Sequence, residues 1–145
     1  MNAIVVGTDG SDTAQQALRE AGDLAKSMGA KLHIVSAYVP ITGARLGGSM
    51  ADPERAQWMV GPDVQVDTVL DQAAGDMHAR GIENECHARK GDPADALLDV
   101  AEQEGADMIV VGNKGMTGAK RFLLGSVPDK VSHHARCSVL IVRTT

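Results

Sequence analysis

The stretch Met108-Ile109-Val110-Val111-Gly112-Asn113-Lys114-Gly115, answered nine residues later by Gly125-Ser126-Val127-Pro128-Asp129, decides the fold. Its first half is a short apolar, β-branched run that reads as a strand. Its second half reads as a helix start, with Ser126 as the cap and Asp129 in the third position of a capping box. A strand feeding a helix through a glycine-rich loop is the repeating unit of a parallel α/β sheet. The same unit opens the chain. Ala3-Ile4-Val5-Val6 runs into Gly7, Thr8-Asp9-Gly10-Ser11 follows, and Ala14, Ala17, Leu18, Ala21, Leu24, Ala25 and Met28 then recur at three- and four-residue steps. Gly29 stands where a left-handed cap would end that helix.

Working outward, Lys31 to Tyr38 is a second strand, stopped by Pro40. Val64 to Arg80 is a helix with Val66, Val69, Leu70, Ala73, Ala74 and Met77 as its inner stripe and Gly81 as its stop. Glu83 to Arg89 is polar, which suits a strand at a sheet edge with one face in water. Asp92-Pro93 is a compact helix start, and Ala94, Leu97, Leu98 and Ala101 give the buried side of a helix that closes at Gly105. Val131 and Ala135 are the apolar side of the helix that begins near Ser126. Val139-Leu140-Ile141-Val142 has the length and branching of a strand buried on both faces. The alternation predicts one domain, residues 1–145, with five parallel strands and four helices in an open, doubly wound α/β sheet. Such sheets bind ligands beyond the carboxyl ends of their strands, where the winding reverses. Ile41 to Pro62 is rich in Gly and Pro and reads as a loop, with one helical turn around Pro53 to Trp58.

Composition narrows the function. With 14 Lys plus Arg against 19 Asp plus Glu, a net charge of -5 offers no general attraction to nucleic acid or an anionic membrane. Asp9 and Asp12 interrupt the apolar start, so no signal peptide is read there, and no apolar run approaches the about 20 residues of a membrane span. A cytoplasmic protein is expected. Cys86 and Cys137 lack CxxC spacing and read as packing residues. His133 and His134 point in different directions on a helix, while His33, His78 and His87 show no ligand spacing, so no metal site is expected.

Gly112, Gly115, Gly125 and Ser126 carry the chemistry: Gly, two residues, Gly, nine residues, Gly-Ser, begun at a strand end and finished at a helix start. A phosphate needs inward-pointing backbone N–H groups with no Cβ in the way, and a helix N-terminus adds donors and a favourable dipole. Gly115 would turn the loop, Gly125 would let the backbone approach, and Ser126 could cap the helix and donate its hydroxyl. The competing reading is that the glycines only form turns and Ser126 only caps. Lys114, Lys120 and Arg121 surround the loop and either meet the phosphates or are simply solvated. No P-loop pattern occurs, and Ser11 has no histidine partner that the sequence can place beside it, so no catalytic residue is assigned.

Taken together, Val5-Val6-Gly7-Thr8-Asp9-Gly10-Ser11, Ala106-Asp107 to Val111-Gly112, the glycine spacing, and Gly125-Ser126-Val127 to Val139-Leu140-Ile141-Val142 resemble the universal stress protein family along the whole chain. The resemblance implies strand order 3-2-1-4-5 and, for members with this glycine pattern, ATP binding. It places Asp9 at the adenine with Gly7 and Thr8 beside it, Ala37 in the base pocket, Val111 and Gly112 at the ribose, and Gly115, Gly125, Ser126 and Val127 on the phosphates. Asp9 equally suits a cap on the first helix. The function expected is a nucleotide-binding regulatory module of the stress response, not an enzyme. A slow ATPase, and AMP or a cyclic adenine nucleotide in place of ATP with or without Mg2+, stay open. A homodimer through the last strand is expected, because that apolar strand would lie at the sheet edge and need cover.

Overall fold

The β-branched runs form strands and the amphipathic stretches form helices in a computed structural model that describes residues 1–38, 59–60, 63–113 and 124–144. In chain order the elements are β1 (Ala3–Gly7), α1 (Asp12–Met28), β2 (Lys31–Tyr38), β3 (Met59–Val60), α2 (Asp63–Ala79), β4 (Asn84–Lys90), α3 (Pro93–Gln103), β5 (Met108–Gly112), α4 (Ser126–His134) and β6 (Ser138–Val142). The five long strands lie parallel in the order β4-β2-β1-β5-β6, which is the expected 3-2-1-4-5.

Period-two alternation divides the core into two layers. Ile4, Val6, Leu32, Ile34 and Val110 face α1 and α2, where they meet Ala17, Leu18, Ala21, Val66, Leu70 and Met77. Val5, Val35, Ile109 and Val111 face α3 and α4, where they meet Leu97, Val100, Val127 and Val131. The helix ends obey their local chemistry. Ser11 Oγ accepts the Ala14 N–H (3.2 Å) at the start of α1, and Gly29 closes it at φ 65°. Asp92 Oδ2 accepts the Asp95 N–H (3.0 Å) at the start of α3, with Pro93 in its first turn.

Three expectations change. α4 begins one residue early: its N-cap is Gly125, which makes no side-chain cap bond, and Ser126 is already helical. The Asp129 N–H, which a capping Ser126 would accept, instead reaches the Gly125 carbonyl at 3.0 Å, and Pro128 has no N–H to offer in its place. β6 is not buried on both faces, since Leu140 and Ile141 are 38% and 37% exposed. β3 was not anticipated. Its backbone pairs with β2 at Ala37↔Met59 and Tyr38↔Val60. There β4 already occupies the other edge of β2. β3 therefore lies on the β1 side, beyond the point where β1 ends. The rest of Ile41 to Pro62, Trp58 included, falls outside the described residues, as do Lys114, Gly115, Lys120 and Arg121.

Candidate functional site

The winding reverses between β1 and β5: from β1 the chain passes through α1 to β2 on one side, and from β5 through α4 to β6 on the other. These two strands are paired from Ile4↔Met108 to Val6↔Val110, so Gly7-Thr8-Asp9 and Val111-Gly112-Asn113 leave the sheet side by side. That is the crevice in which open α/β sheets hold ligands.

The first loop is fixed by its own hydrogen bonds. The Thr8 N–H donates to Val35 O (2.9 Å), continuing the β1–β2 ladder by one residue. Thr8 Oγ1 accepts the Gly10 N–H (3.2 Å), and Asp9 Oδ1 accepts the Ser11 N–H (2.9 Å). Gly10 sits at φ 84°, and a Cβ there would come 3.0 Å from Val69 Cγ2. Asp9 thus braces the entrance to α1 from a half-buried position while Ser11 is the actual cap.

The second loop is closed at its base. The Gly125 N–H donates to Asn113 O (3.1 Å), and the Asn113 N–H donates to Val142 O (2.8 Å). Asn113 Oδ1 accepts both the Thr144 N–H (2.8 Å) and the Thr144 hydroxyl (2.9 Å). Asn113 therefore joins the end of β5, the start of α4 and the segment after β6. Sequence reading gave it no role, and no local signal could have, because Thr144 lies 31 residues away. Gly125 has φ -66° and ψ 166°, a backbone any residue adopts. Its backbone angles do not demand glycine. Gly112 differs: a Cβ there would lie 3.2 Å from Thr144 Cγ2, so packing alone favours glycine.

The nine-residue α4 directs the N–H groups of Ser126 and Val127 out of its first turn, toward the same end of the sheet. Val111 and Val127 bury their side chains in the core, so they can meet a ligand only through the backbone. Ala37 lies at this end of β2, yet its methyl is packed in the same core cluster. Lys130 ties the starts of α3 and α4 together, 2.8 Å from Asp95 Oδ1 and 3.4 Å from Asp92 Oδ2. The hydrogen bond to Asp95 raises its pKa above the ordinary lysine value.

A second cluster lies on the β2–β4 side of the sheet. His33 Nδ1 and His87 Nε2 are 2.9 Å apart in the interior, from strands 54 residues apart in sequence. Burial pushes His87 below the ordinary imidazole range, against the opposing pull of Glu85. Sequence spacing concealed the pair. The available signal was the period-two placement of Glu85 and His87 on a strand expected to be polar.

Comparison with known proteins fixes the class. The profile of the Universal stress protein family matches residues 1–143. The chain belongs to that family. It is 40% identical to Universal stress protein Rv1636 of Mycobacterium tuberculosis (strain ATCC 25618 / H37Rv), covering 98% of this chain and 96% of that one. It is 36% identical to Universal stress protein YxiE of Bacillus subtilis (strain 168), covering 98% and 99%. Among solved structures, a universal stress protein in complex with cAMP superposes with a TM-score of 0.75 at 34% identity, covering 99% of this chain and 98% of that one. Among the described residues, no helix is long and apolar enough to cross a membrane.

Proposed function

We propose that the chain binds an adenine nucleotide, ATP first, at the carboxyl ends of β1 and β5, and acts in the cytoplasm as a regulatory module of the stress response rather than as an enzyme. The observation that carries the reading is the loop closed by the Gly125 N–H to Asn113 O bond at the reversal of the winding, beside the turn from Gly7 to Ser11. In this reading Asp9, Gly7, Thr8 and Ala37 surround the base, Val111 and Gly112 approach the ribose, and Gly115, Ser126 and Val127 hold the phosphates through backbone N–H groups, while Gly125, whose own N–H is taken by Asn113 O, lies beside the phosphates and leaves room for their approach. The dipole of α4 favours the negative charge there. ATP would bring Mg2+ as its counter-ion.

The likeness to a universal stress protein bound to cAMP favours one second reading, a cyclic nucleotide at the same site. Calorimetric titration with ATP, AMP and cAMP separates the two, together with mass spectrometry of whatever ligand leaves the purified protein. Gly125→Val should abolish binding while the circular dichroism spectrum is kept, because a branched side chain would fill the phosphate's approach. Unchanged affinity in the folded variant would defeat the assignment. Phosphate release from ATP at no more than the uncatalysed rate is the outcome expected of a binding module.

The subunit further pairs with a second copy through β6. Leu140 and Ile141 are exposed on opposite faces of a strand whose ladder runs only to β5 among the described residues. Pairing about a two-fold axis would satisfy the free edge and cover both side chains.

A further inference from the structure

We propose that His33, Glu85, His87 and Glu104 form a binding site for one divalent transition-metal ion, Zn2+ by ligand chemistry, on the β2–β4 side of the sheet, away from the β1–β5 crevice. β2 and β4 pair His33↔Glu85 and Val35↔His87, so His33, Glu85 and His87 project from the same face of the sheet. That face is covered by α3, and Glu104 is the C-cap residue of α3. One ligand atom from each of the four side chains lies within 4.8 Å of all the others.

The separations suit a small ion. Tetrahedral coordination at about 2.0–2.2 Å sets ligand atoms roughly 3.3–3.6 Å apart. His33 Nδ1 to His87 Nε2 is 2.9 Å and His87 Nε2 to Glu85 Oε2 is 3.7 Å, a few tenths of an ångström to either side. The longer gaps involve carboxylates on exposed, flexible side chains, whereas the two imidazoles, 3% and 6% exposed, are held by the core. The preset part of the site is thus the histidine pair, and the adjustable part is acidic and open to solvent, which provides the path for entry.

Charge and proton bookkeeping agree with a dication. Two carboxylates cancel its charge, and two neutral imidazoles add none. Without an ion, one of the two facing nitrogens must carry a proton and donate it to the other. With an ion bound, both turn lone pairs to the metal, and that proton sits on the far nitrogen of its ring. Lys31 Nζ holds Glu85 Oε1 at 2.9 Å, which leaves Oε2 turned toward His87 and orients the carboxylate as an outer-shell partner does. The two imidazole nitrogens suit Zn2+, whereas Ca2+ and Mg2+ take oxygen ligands alone. The ion would clamp the end of α3 to the β2–β4 edge.

The test uses full-length protein, stripped with chelator and desalted, with ZnCl2 in calorimetry and CoCl2 in visible absorption. One Zn2+ per chain, a Co2+ spectrum of low coordination number, and a rise in melting temperature reversed by chelator are expected. Glu104→Gln changes an exposed residue, so folding is not at stake. It should weaken Zn2+ binding at least about tenfold, because even outer-shell partners contribute ~10–100-fold, and leave the melting temperature of the metal-free protein unchanged. His87→Gln, if folded, should abolish the Co2+ bands. Failure of the wild-type protein to bind Zn2+ at micromolar concentration would overturn the proposal. So would binding of equal strength in Glu104→Gln, which would assign the ion to other residues.

Discussion

β5 and β6 are neighbours with nearly interchangeable sequences, Met-Ile-Val-Val-Gly and Ser-Val-Leu-Ile-Val, and they live in different environments. Ile109, Val110 and Val111 have no exposure at all, whereas Leu140 and Ile141 are more than a third exposed. β5 has a strand on each side, whereas β6, which also meets α1 and α4, has one strand beside it among the described residues. Four apolar residues in a row therefore specify a strand that wants cover, not what provides the cover. At the opposite edge, β4 meets the same exposure with Asn84, Glu85, Arg89 and Lys90, the charged composition by which edge strands avoid further pairing. One edge is polar, and the other is apolar and partly exposed.

The strongest way to break this contrast is to truncate the same residue type on both strands. Ile109→Ala should destabilise the subunit by about 2–5 kcal/mol, the range for a fully buried isoleucine, as read from denaturant unfolding. Ile141→Ala in dilute protein should cost less, about 1–2 kcal/mol, since over a third of that residue is already in water. Equal losses at both positions would mean that β6 is as enclosed as β5 within a single subunit.

Next in size is the effect of charge on the apolar edge. Ile141→Lys should weaken self-association at least tenfold, about 1.4 kcal/mol, by sedimentation equilibrium, with little change in the unfolding of the separated subunit. A wild-type protein that sediments as a monomer at micromolar concentration, with and without ATP, would remove the dimer and leave β6 simply exposed.

A comparable effect is expected at the joint between the two strands. Asn113→Ala removes two side-chain hydrogen bonds to Thr144 and should destabilise by about 1–2 kcal/mol. Hydrogen exchange should quicken at Thr144 before it quickens within β5. Uniform quickening through both strands would show that they open as one unit.

The smallest effect is at the amino end of β5 and is confined to acid. Asp107 Oδ2 accepts the N–H groups of Asn2 (2.6 Å) and Ala3 (3.1 Å), and these bonds hold its carboxyl below the usual aspartate value. A depressed folded pKa contributes stability above the unfolded value of about 3.9 and loses it as pH falls through the lower folded value. Asp107→Asn should therefore be less stable than wild type at neutral pH, with the gap narrowing below about pH 4. A gap that does not depend on pH would mean that the charge contributes nothing.

The sequence by itself determined the order and kind of the long elements, because their signals are local. Apolar period-two and period-3.6 runs set strands and helices, Ser11 and Gly29 bound α1, and Asp92-Pro93 starts α3. It also singled out the Gly112-to-Ser126 loop, the proposed place for a phosphate, because its glycine spacing falls between a strand end and a helix start. What depends on partners distant in the chain was decided by tertiary structure. Asn113 meets Thr144 only because β6 lies beside β5, Met59 and Val60 reach the end of β1 only by pairing with β2, and β6 is exposed only because the sheet stops there. His33 and His87 are the sharpest case: neither position carries a ligand pattern, and only the parallel register of β2 and β4 brings the two rings together under α3. Register is set by packing across the whole sheet, so no window of sequence contains it.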